Sequence, residues 1–245
     1  MMHFMKIDIL FENDRYVIIN KPAGLVVHAD GKTIEPNVAE WFAQQYPASS
    51  QVGEPLVLSS GEVIARPGIV HRIDRETSGV LVLARTPEAF AHLKGHFQSR
   101  DVDKTYHVFV YGNVKKDYDT IDRPIGRSRK DFRMWSAQRL ARGELREAIT
   151  DYAVIARGEK ATFLEAKPHT GRTHQIRVHF KAINHPVVCD KLYAPKHPPL
   201  FGLDRLALHA RSIAFADIDG STISVTAPYP EDFERAVSAM QGERA

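Results

Sequence analysis

Within a chain of 245 residues, the stretch His71-Arg72-Ile73-Asp74-Arg75-Glu76-Thr77-Ser78-Gly79 has the residue types and spacing best suited to chemistry. It sets one carboxylate, Asp74, between two arginines and ahead of a Thr-Ser-Gly turn. The apolar run Val80-Leu81-Val82-Leu83-Ala84 follows at once, so the turn feeds a buried strand. A carboxylate at the mouth of such a strand is firmly held, and flanking cations favour its charged form. An isolated Asp in a loop more often caps a turn and pairs with a neighbouring Arg. The pattern around Asp74 suits a nucleophile or a base better.

A second constellation is Gly171-Arg172-Thr173-His174-Gln175-Ile176-Arg177-Val178-His179-Phe180. Thr173 is placed to cap a helix running to Asn184, and Pro186 prevents its continuation. Ile176, Phe180 and Ile183 share an apolar face, with Arg177 and Lys181 beside it. An Arg near the first turn opposes the helix dipole, which favours anions there. Arg177 therefore calls for a specific acidic partner, either a catalytic carboxylate or a surface acid. A metal site at His174 and His179 fails on geometry, because five residues splay two ligands around a helix.

The third feature is basic. Between Arg123 and Arg146 stand Arg123, Arg127, Arg129, Lys130, Arg133, Arg139, Arg142 and Arg146, opposed only by Asp131 and Glu144. Phe132, Met134 and Trp135 lie inside the stretch. Arginines with interleaved aromatics grip phosphates and stack bases. Charge runs are more often only solvated loops. The whole chain has 33 Lys+Arg against 30 Asp+Glu, too small a surplus to imply an anionic partner by itself.

Composition excludes other classes. Hydrophobic content of 43% and charged content of 26% are those of an ordinary globular chain long enough to bury a large core. No apolar run approaches the ~20 residues of a membrane-spanning helix. The N-terminus has no signal-peptide pattern. The single cysteine, Cys189, cannot form an internal disulfide, which fits a reducing cytoplasm.

Strands are expected at Ile7 to Phe11 and Tyr16 to Lys21, followed by the breaker cluster Lys21-Pro22-Ala23-Gly24 and the apolar run Leu25-Val26-Val27. Asn37 to Tyr46 has helical spacing with Asn37 as N-cap, whereas Ala48 to Pro67 shows no period. Thr86 as N-cap and Pro87 at the first position start a helix with Phe90, Leu93, Lys94 and Phe97 on one side. Lys104 to Tyr111, Ile149 to Ala156 and Ala161 to Ala166 read as strands, the last two as a hairpin through Gly158-Glu159-Lys160. Strands at Ala207 to Phe215 and Thr222 to Ala227 precede a helix from about Glu231. Hairpins with helices inserted at intervals argue for an α+β fold on a mainly antiparallel sheet.

Taken together, these stretches resemble the RluA-type pseudouridine synthases, which isomerise uridine within RNA. Tyr16 to His28, around Asn20-Lys21-Pro22-Ala23-Gly24, resembles that family's N-terminal motif. His71 to Gly79 resembles its aspartate motif, Lys104-Thr105-Tyr106 its tyrosine motif, and Gly171 to His179 its arginine motif. Arg205-Leu206-Ala207-Leu208-His209-Ala210 resembles its C-terminal signature. The resemblance implies a pseudouridine synthase fold, a mainly antiparallel mixed sheet in two lobes with a central catalytic cleft. It implies that Asp74 acts as nucleophile or base on a flipped uridine and that Tyr106 stacks on the base. Arg177 would pair with Asp74, Ile176 would pack against the pyrimidine, and Arg72 would enter the RNA in place of the extruded nucleotide. The reaction needs no cofactor and no metal.

The first expected strand begins near residue 7, so residues 1–245 read as a single catalytic domain without the small N-terminal S4-type RNA-binding domain of many relatives. RNA contacts would then fall to Arg129, Lys130 and Arg133 of the basic segment, acting as a clamp. The expected partner is an rRNA or tRNA stem-loop, with no membrane and no obligatory protein partner, and the protein is expected to work as a cytoplasmic monomer. A non-catalytic RNA-binding module would leave Asp74 between its arginines unexplained. A glycosidase would need a second carboxylate at a defined separation, and none stands out.

Overall fold

The computed structural model describes residues 6–31, 34–138 and 141–242. Along the chain run β1 (Asp8–Glu12), β2 (Tyr16–Lys21), α1 (Val38–Gln45), a 3-10 turn (Pro47–Ser49), β3 (Leu56–Val57), β4 (Val63–Ile64), β5 (Ser78–Ala84) and α2 (Pro87–Ser99). There follow β6 (Asp103–Tyr111), β7 (Tyr118–Asp122), β8 (Ile125–Arg127), β9 (Trp135–Ser136), β10 (Arg142–Arg146), β11 (Ile149–Arg157) and β12 (Ala161–Pro168). The last elements are α3 (Gln175–Ala182), β13 (Leu208–Ala216), β14 (Thr222–Thr226) and α4 (Glu231–Gly242). The chain divides into two compact units: residues up to Val102 with Ser212–Pro228, and Asp103–Arg211 with residues from Tyr229 onward.

In the first unit β2 lies antiparallel between β1 and β5, with Tyr16 opposite Ala84 and Lys21 opposite Gly79. Every residue of β5 is buried. Tyr16, Ile18, Val80 and Val82 share one face and pack with Ala89 and Leu93 of α2 and with Phe215. Val17, Ile19, Leu81 and Leu83 occupy the alternate positions and are just as buried. A strand covered on both faces needs an unbroken apolar run, which is why Val80 to Ala84 does not alternate. Thr86 Oγ1 accepts from Ala89 N–H at 3.1 Å and so caps α2, as its sequence predicts. Asn37 Oδ1 accepts from Glu40 N–H at 3.0 Å and caps α1. The carbonyls of Val26 and Val27 accept the next two free N–H groups of that helix, from Val38 and Ala39, each at 3.0 Å. The apolar run Leu25-Val26-Val27 thus serves a helix end and is no strand, apart from one isolated bridge from Val26 to Asn37.

In the second unit β6, β12, β11 and β7 form an antiparallel order. Its core stacks Phe109 on Phe163 at 4.5 Å between ring centroids and adds Phe180 of α3 with Phe233 and Met240 of α4. The basic segment is neither a plain loop nor unsupported. β10, β8 and β9 make a small three-stranded sheet. A cluster of Ile125, Ala137, Ala148, Val178 and Tyr193 seats it on α3. Arg139 of that segment lies outside the described residues.

Two sequence expectations need correction. Thr77-Ser78-Gly79 is not a turn: the turn spans Asp74 to Thr77, and Ser78 already belongs to β5. Gly79 is there because its φ of 110° opposite Lys21 is open to glycine and strained for other residues. Thr173 does not cap α3, which begins after His174 in a left-handed conformation and ends at Ala182, with Ile183 as C-cap. The Gln175 side chain sets the helix start instead. It accepts from Thr170 Oγ1 and Arg172 N–H and donates to Ile149 O and Thr150 Oγ1.

Candidate active site

Asp74 is half-buried in a turn closed by a 3.1 Å hydrogen bond from Thr77 N–H to its carbonyl. The turn has no strand ladder of its own, so other groups must hold it. The first is Lys21, fully buried at the end of β2, whose ammonium donates to the carbonyls of Pro22 and Leu25 at 2.8 Å and of Arg75 at 2.9 Å. An ammonium has three N–H groups and no acceptor, so three converging carbonyls suit it, and burying it otherwise would be costly. The second is Gly24, whose N–H donates to Arg75 O at 2.9 Å while its carbonyl accepts from Arg75 Nε at 3.1 Å. The third lies upstream: Val82 N–H donates to His71 Nε2 at 3.0 Å, and the imidazole stacks on Phe97 at 4.6 Å. Arg75 also pairs with Glu35.

Arg72 is exposed, and its Nη1 lies 3.3 Å from His28 Nε2. A cavity of about 150 Å³ opens beside the Asp74 turn, lined among others by Val27, His28, Glu35, Arg72, Ile73 and Arg75. Burial pushes the His28 imidazole below its ordinary range, helped by the Arg72 charge and against the hydrogen bond to Ala29 O.

Arg177 belongs to the second unit and is built into a frame of its own. Its Nε and one Nη donate to both oxygens of Asp190, at 2.7 and 2.9 Å, and that carboxylate is fully buried. Asp190 Oδ1 accepts further from Leu192 and Tyr193 N–H, each at 3.0 Å. The Arg177 guanidinium lies 5.0 Å from the Tyr193 ring centre. An acidic partner of the kind expected for an Arg at this helix position is therefore present in Asp190. The pair takes two of the five N–H donors of a guanidinium. Tyr106, half-buried on β6, and Ile176, buried on α3, both pack on the core of this unit. His174 and His179 are hydrogen-bonded scaffold: His174 to Tyr193 Oη, His179 between Thr150 Oγ1 and Arg123 O, each contact at 2.9 Å.

In the basic segment, Arg129 and Lys130 are exposed in the connection between β8 and β9. Arg133 is exposed too, but Asp131 holds it through both carboxylate oxygens, and these bonds keep the Asp131 carboxyl down at about 2. Arg127 covers the Trp135 ring at 4.0 Å. Phe132 projects from this turn with 84% of its surface exposed, more than any core-forming role allows.

A family model described as RNA pseudouridylate synthase matches residues 15–182, which include Asp74, Tyr106 and Arg177. The chain belongs to this family. It is 40% identical over 238 residues to an RNA pseudouridine synthase of Mycobacterium tuberculosis named as uncharacterized, covering 96% of this chain and 73% of that one. It is 35% identical over 251 residues to ribosomal large subunit pseudouridine synthase D of Xanthomonas campestris, covering 98% and 71%. The solved structure of human RNA pseudouridylate synthase domain containing 4 superposes with a TM-score of 0.72 at 22% identity, covering 95% of this chain and 92% of that one, which speaks for the fold. The chain is thus an RluA-type RNA pseudouridine synthase, an isomerase acting on RNA.

Sequence reading gave this synthase its motifs but missed several groups that frame them. Lys21 was visible as part of a motif and had no role attached. Asp190 could have been suspected as a lone acid following the apolar run Val187-Val188-Cys189 and preceding Tyr193. Gln175 and His28 left little signal, because Ile149 and Thr150, to which Gln175 donates, and Arg72, which His28 faces, are distant in sequence. Replacing Lys21 with Met keeps the unbranched shape and most of the length of the side chain and removes its donors. The melting temperature should fall by an amount matching a loss of about 1.5–3 kcal/mol. Amide exchange at Arg75 to Thr77 should quicken and pseudouridine formation drop. An unchanged melting curve and unchanged exchange would show that the ammonium does not hold the turn.

Proposed function

We propose that this synthase isomerises specific uridines in structured rRNA or tRNA, in the cytoplasm and as a monomer. In this reading it needs no cofactor, metal or obligatory protein partner, and Asp74 carries the chemistry on a nucleotide flipped out of its stack. The target carbon of a stacked uridine is out of reach, so the base has to leave the helix. In the reaction the N1–C1′ bond breaks, the base turns, and C5 bonds to C1′; the C5 hydrogen leaves as a proton while N1 takes one up. No electron, donor group or water is consumed, which is why the residues alone suffice. Asp74 serves as nucleophile on the sugar or base, or as base on the sugar.

The other roles follow the family pattern. Tyr106 stacks on the uracil, Ile176 packs against it, and Arg177 orients the Asp74 carboxylate while Asp190 orients Arg177. Arg72 occupies the space the nucleotide leaves. The observation that carries this reading is the anchoring of the Asp74 turn. A buried ammonium and a glycine amide converge on one short turn, and a histidine ties the chain just before it onto β5; a carboxylate bearer at the surface would need no such support. Support for an rRNA target comes from the names of relatives such as ribosomal large subunit pseudouridine synthase D. Arg129 and Lys130 meet the phosphates, with Phe132 between them and Arg133 as a stacking surface.

Uridine tritiated at C5 in total RNA gives a direct assay, since isomerisation releases the label to water. The wild-type protein, with no added cofactor or metal, should release it from one or a few positions. Asp74→Asn should bind the RNA as before and release label at least about 10²–10⁴ times more slowly. Release at the wild-type rate would remove Asp74 from the reaction, and no release from either RNA class by the wild-type protein would remove the proposed substrate. A separate test addresses the basic segment. Joint replacement of Arg129 and Lys130 by Ala should weaken RNA binding and lower its salt dependence by about one phosphate contact per residue. Arg133→Ala alone should change it less, because Asp131 already compensates that charge. Equal affinity and equal salt slope in all three proteins would exclude the segment from the interface.

A further inference from the structure

His28 stands apart from the groups that hold the Asp74 turn. Its Nδ1 lies 2.7 Å from the carbonyl of Ala29, and a carbonyl only accepts, so Nδ1 carries the proton. The neutral ring then has a lone pair at Nε2, and that atom faces Arg72 Nη1 at 3.3 Å. One donor and one acceptor are thus both used, and the tautomer follows from the chain itself. Arg72 is otherwise a long, exposed side chain on the rim of the cavity beside Asp74, with many rotamers open to it. Resting on the reading of Arg72 as the residue that replaces the extruded nucleotide, we propose that His28 is a positioning residue: its Nε2 lone pair holds the Arg72 guanidinium ready to enter the RNA.

The physical gain is pre-organisation. A side chain already restricted loses less freedom when it is fixed in the complex. Without the histidine acceptor, Arg72 samples solvent conformers, and the committed complex forms less often. The arrangement is also sensitive to protonation. A second proton would turn Nε2 from acceptor to donor and set a cation against a cation. The charged groups that act on His28 are Arg72 and Arg66, which oppose that proton, and Asp30, which favours it. Glu35 and Arg75 line the same cavity and compensate one another. Burial, with the two arginines, therefore favours the neutral imidazole, which gains charge only under more acidic conditions than an ordinary histidine.

The test uses the 245-residue protein in saturating excess over its RNA and follows single-turnover pseudouridine formation. His28→Ala should slow the step about three- to tenfold. His28→Gln places an amide oxygen near the Nε2 position and should restore most of the rate, whereas His28→Asn reaches only the Ala29 contact and should not. His28→Ala combined with Arg72→Ala should be no slower than Arg72→Ala alone, because the histidine then has nothing to hold. On acidification the ratio of wild-type to His28→Gln rates should fall, since glutamine does not titrate. Additive losses in the double variant, or rescue by Asn as good as by Gln, would reduce His28 to loop packing and overturn the proposal. If Arg72→Ala alone leaves the rate unchanged, the role of Arg72 fails and this inference with it; loss of activity in Asp74→Asn would still leave the synthase reading standing. Melting temperatures of the variants separate a misfolded protein from a mispositioned arginine.

Discussion

A buried ammonium at the end of β2 is the constraint on which the Asp74 turn depends. Lys21 draws together carbonyls from its own neighbourhood and from Arg75, 54 positions later in the chain. Ionised lysines are rarely buried because losing water costs so much; hydrogen bonds to oriented carbonyls offset that loss only when their geometry is good. The consequence runs in both directions. The turn cannot move without leaving a charge unsolvated, and the lysine cannot be spared without leaving carbonyls unpaired. Rigidity at this point is what a reacting carboxylate needs, since displacement by a single ångström can abolish most of a rate.

The rest of the first unit serves the same end. β5 is buried along its whole length and leaves the turn in one direction only. His71 takes the N–H of Val82 and so ties the approach to the turn onto the strand that leaves it. In the second unit another buried ionic group does comparable work: Asp190 holds Arg177 in a planar two-point contact and is itself held by two backbone amides. Planar, doubly bonded arginine is oriented as well as charged, which a lysine in its place would not be. Among the described residues each unit thus carries a buried cation fixed by oxygen acceptors, Lys21 in one and Arg177 in the other, and each lies within a stretch that resembles a motif of the family.

Local signals were legible in the sequence, and distant ones were not. β2 runs from Tyr16 to Lys21 as expected, because Asn13 and Pro22 bound it within a few residues. α2 starts at Pro87 behind the Thr86 cap for the same reason. Thr173 misled because a cap is a local rule, while α3 takes its start from Gln175, whose side chain bonds to Ile149 and Thr150 on β11. β3 and β4 are two residues each, too short for any period to show. The basic stretch advertised its charge, but not that Arg127 would lie on Trp135 or that Asp131 would engage Arg133. Motif order revealed the family and named Asp74, Tyr106 and Arg177. The groups that hold the Asp74 turn and Arg177, Lys21 and Asp190, and the His28 contact to Arg72 emerge only when the chain is folded.

The central claim is that one carboxylate, held at one position, performs the isomerisation. Asp74→Glu keeps the charge and the chemistry and advances the carboxylate by about one bond length. Its single-turnover rate on the RNA that the wild-type protein modifies is the most direct measure. If position is decisive, the rate should fall by about 10²-fold or more while RNA affinity and melting temperature hold. A glutamate variant that forms pseudouridine at close to the wild-type rate would contradict the account, because the anchoring of the turn would then have no catalytic purpose.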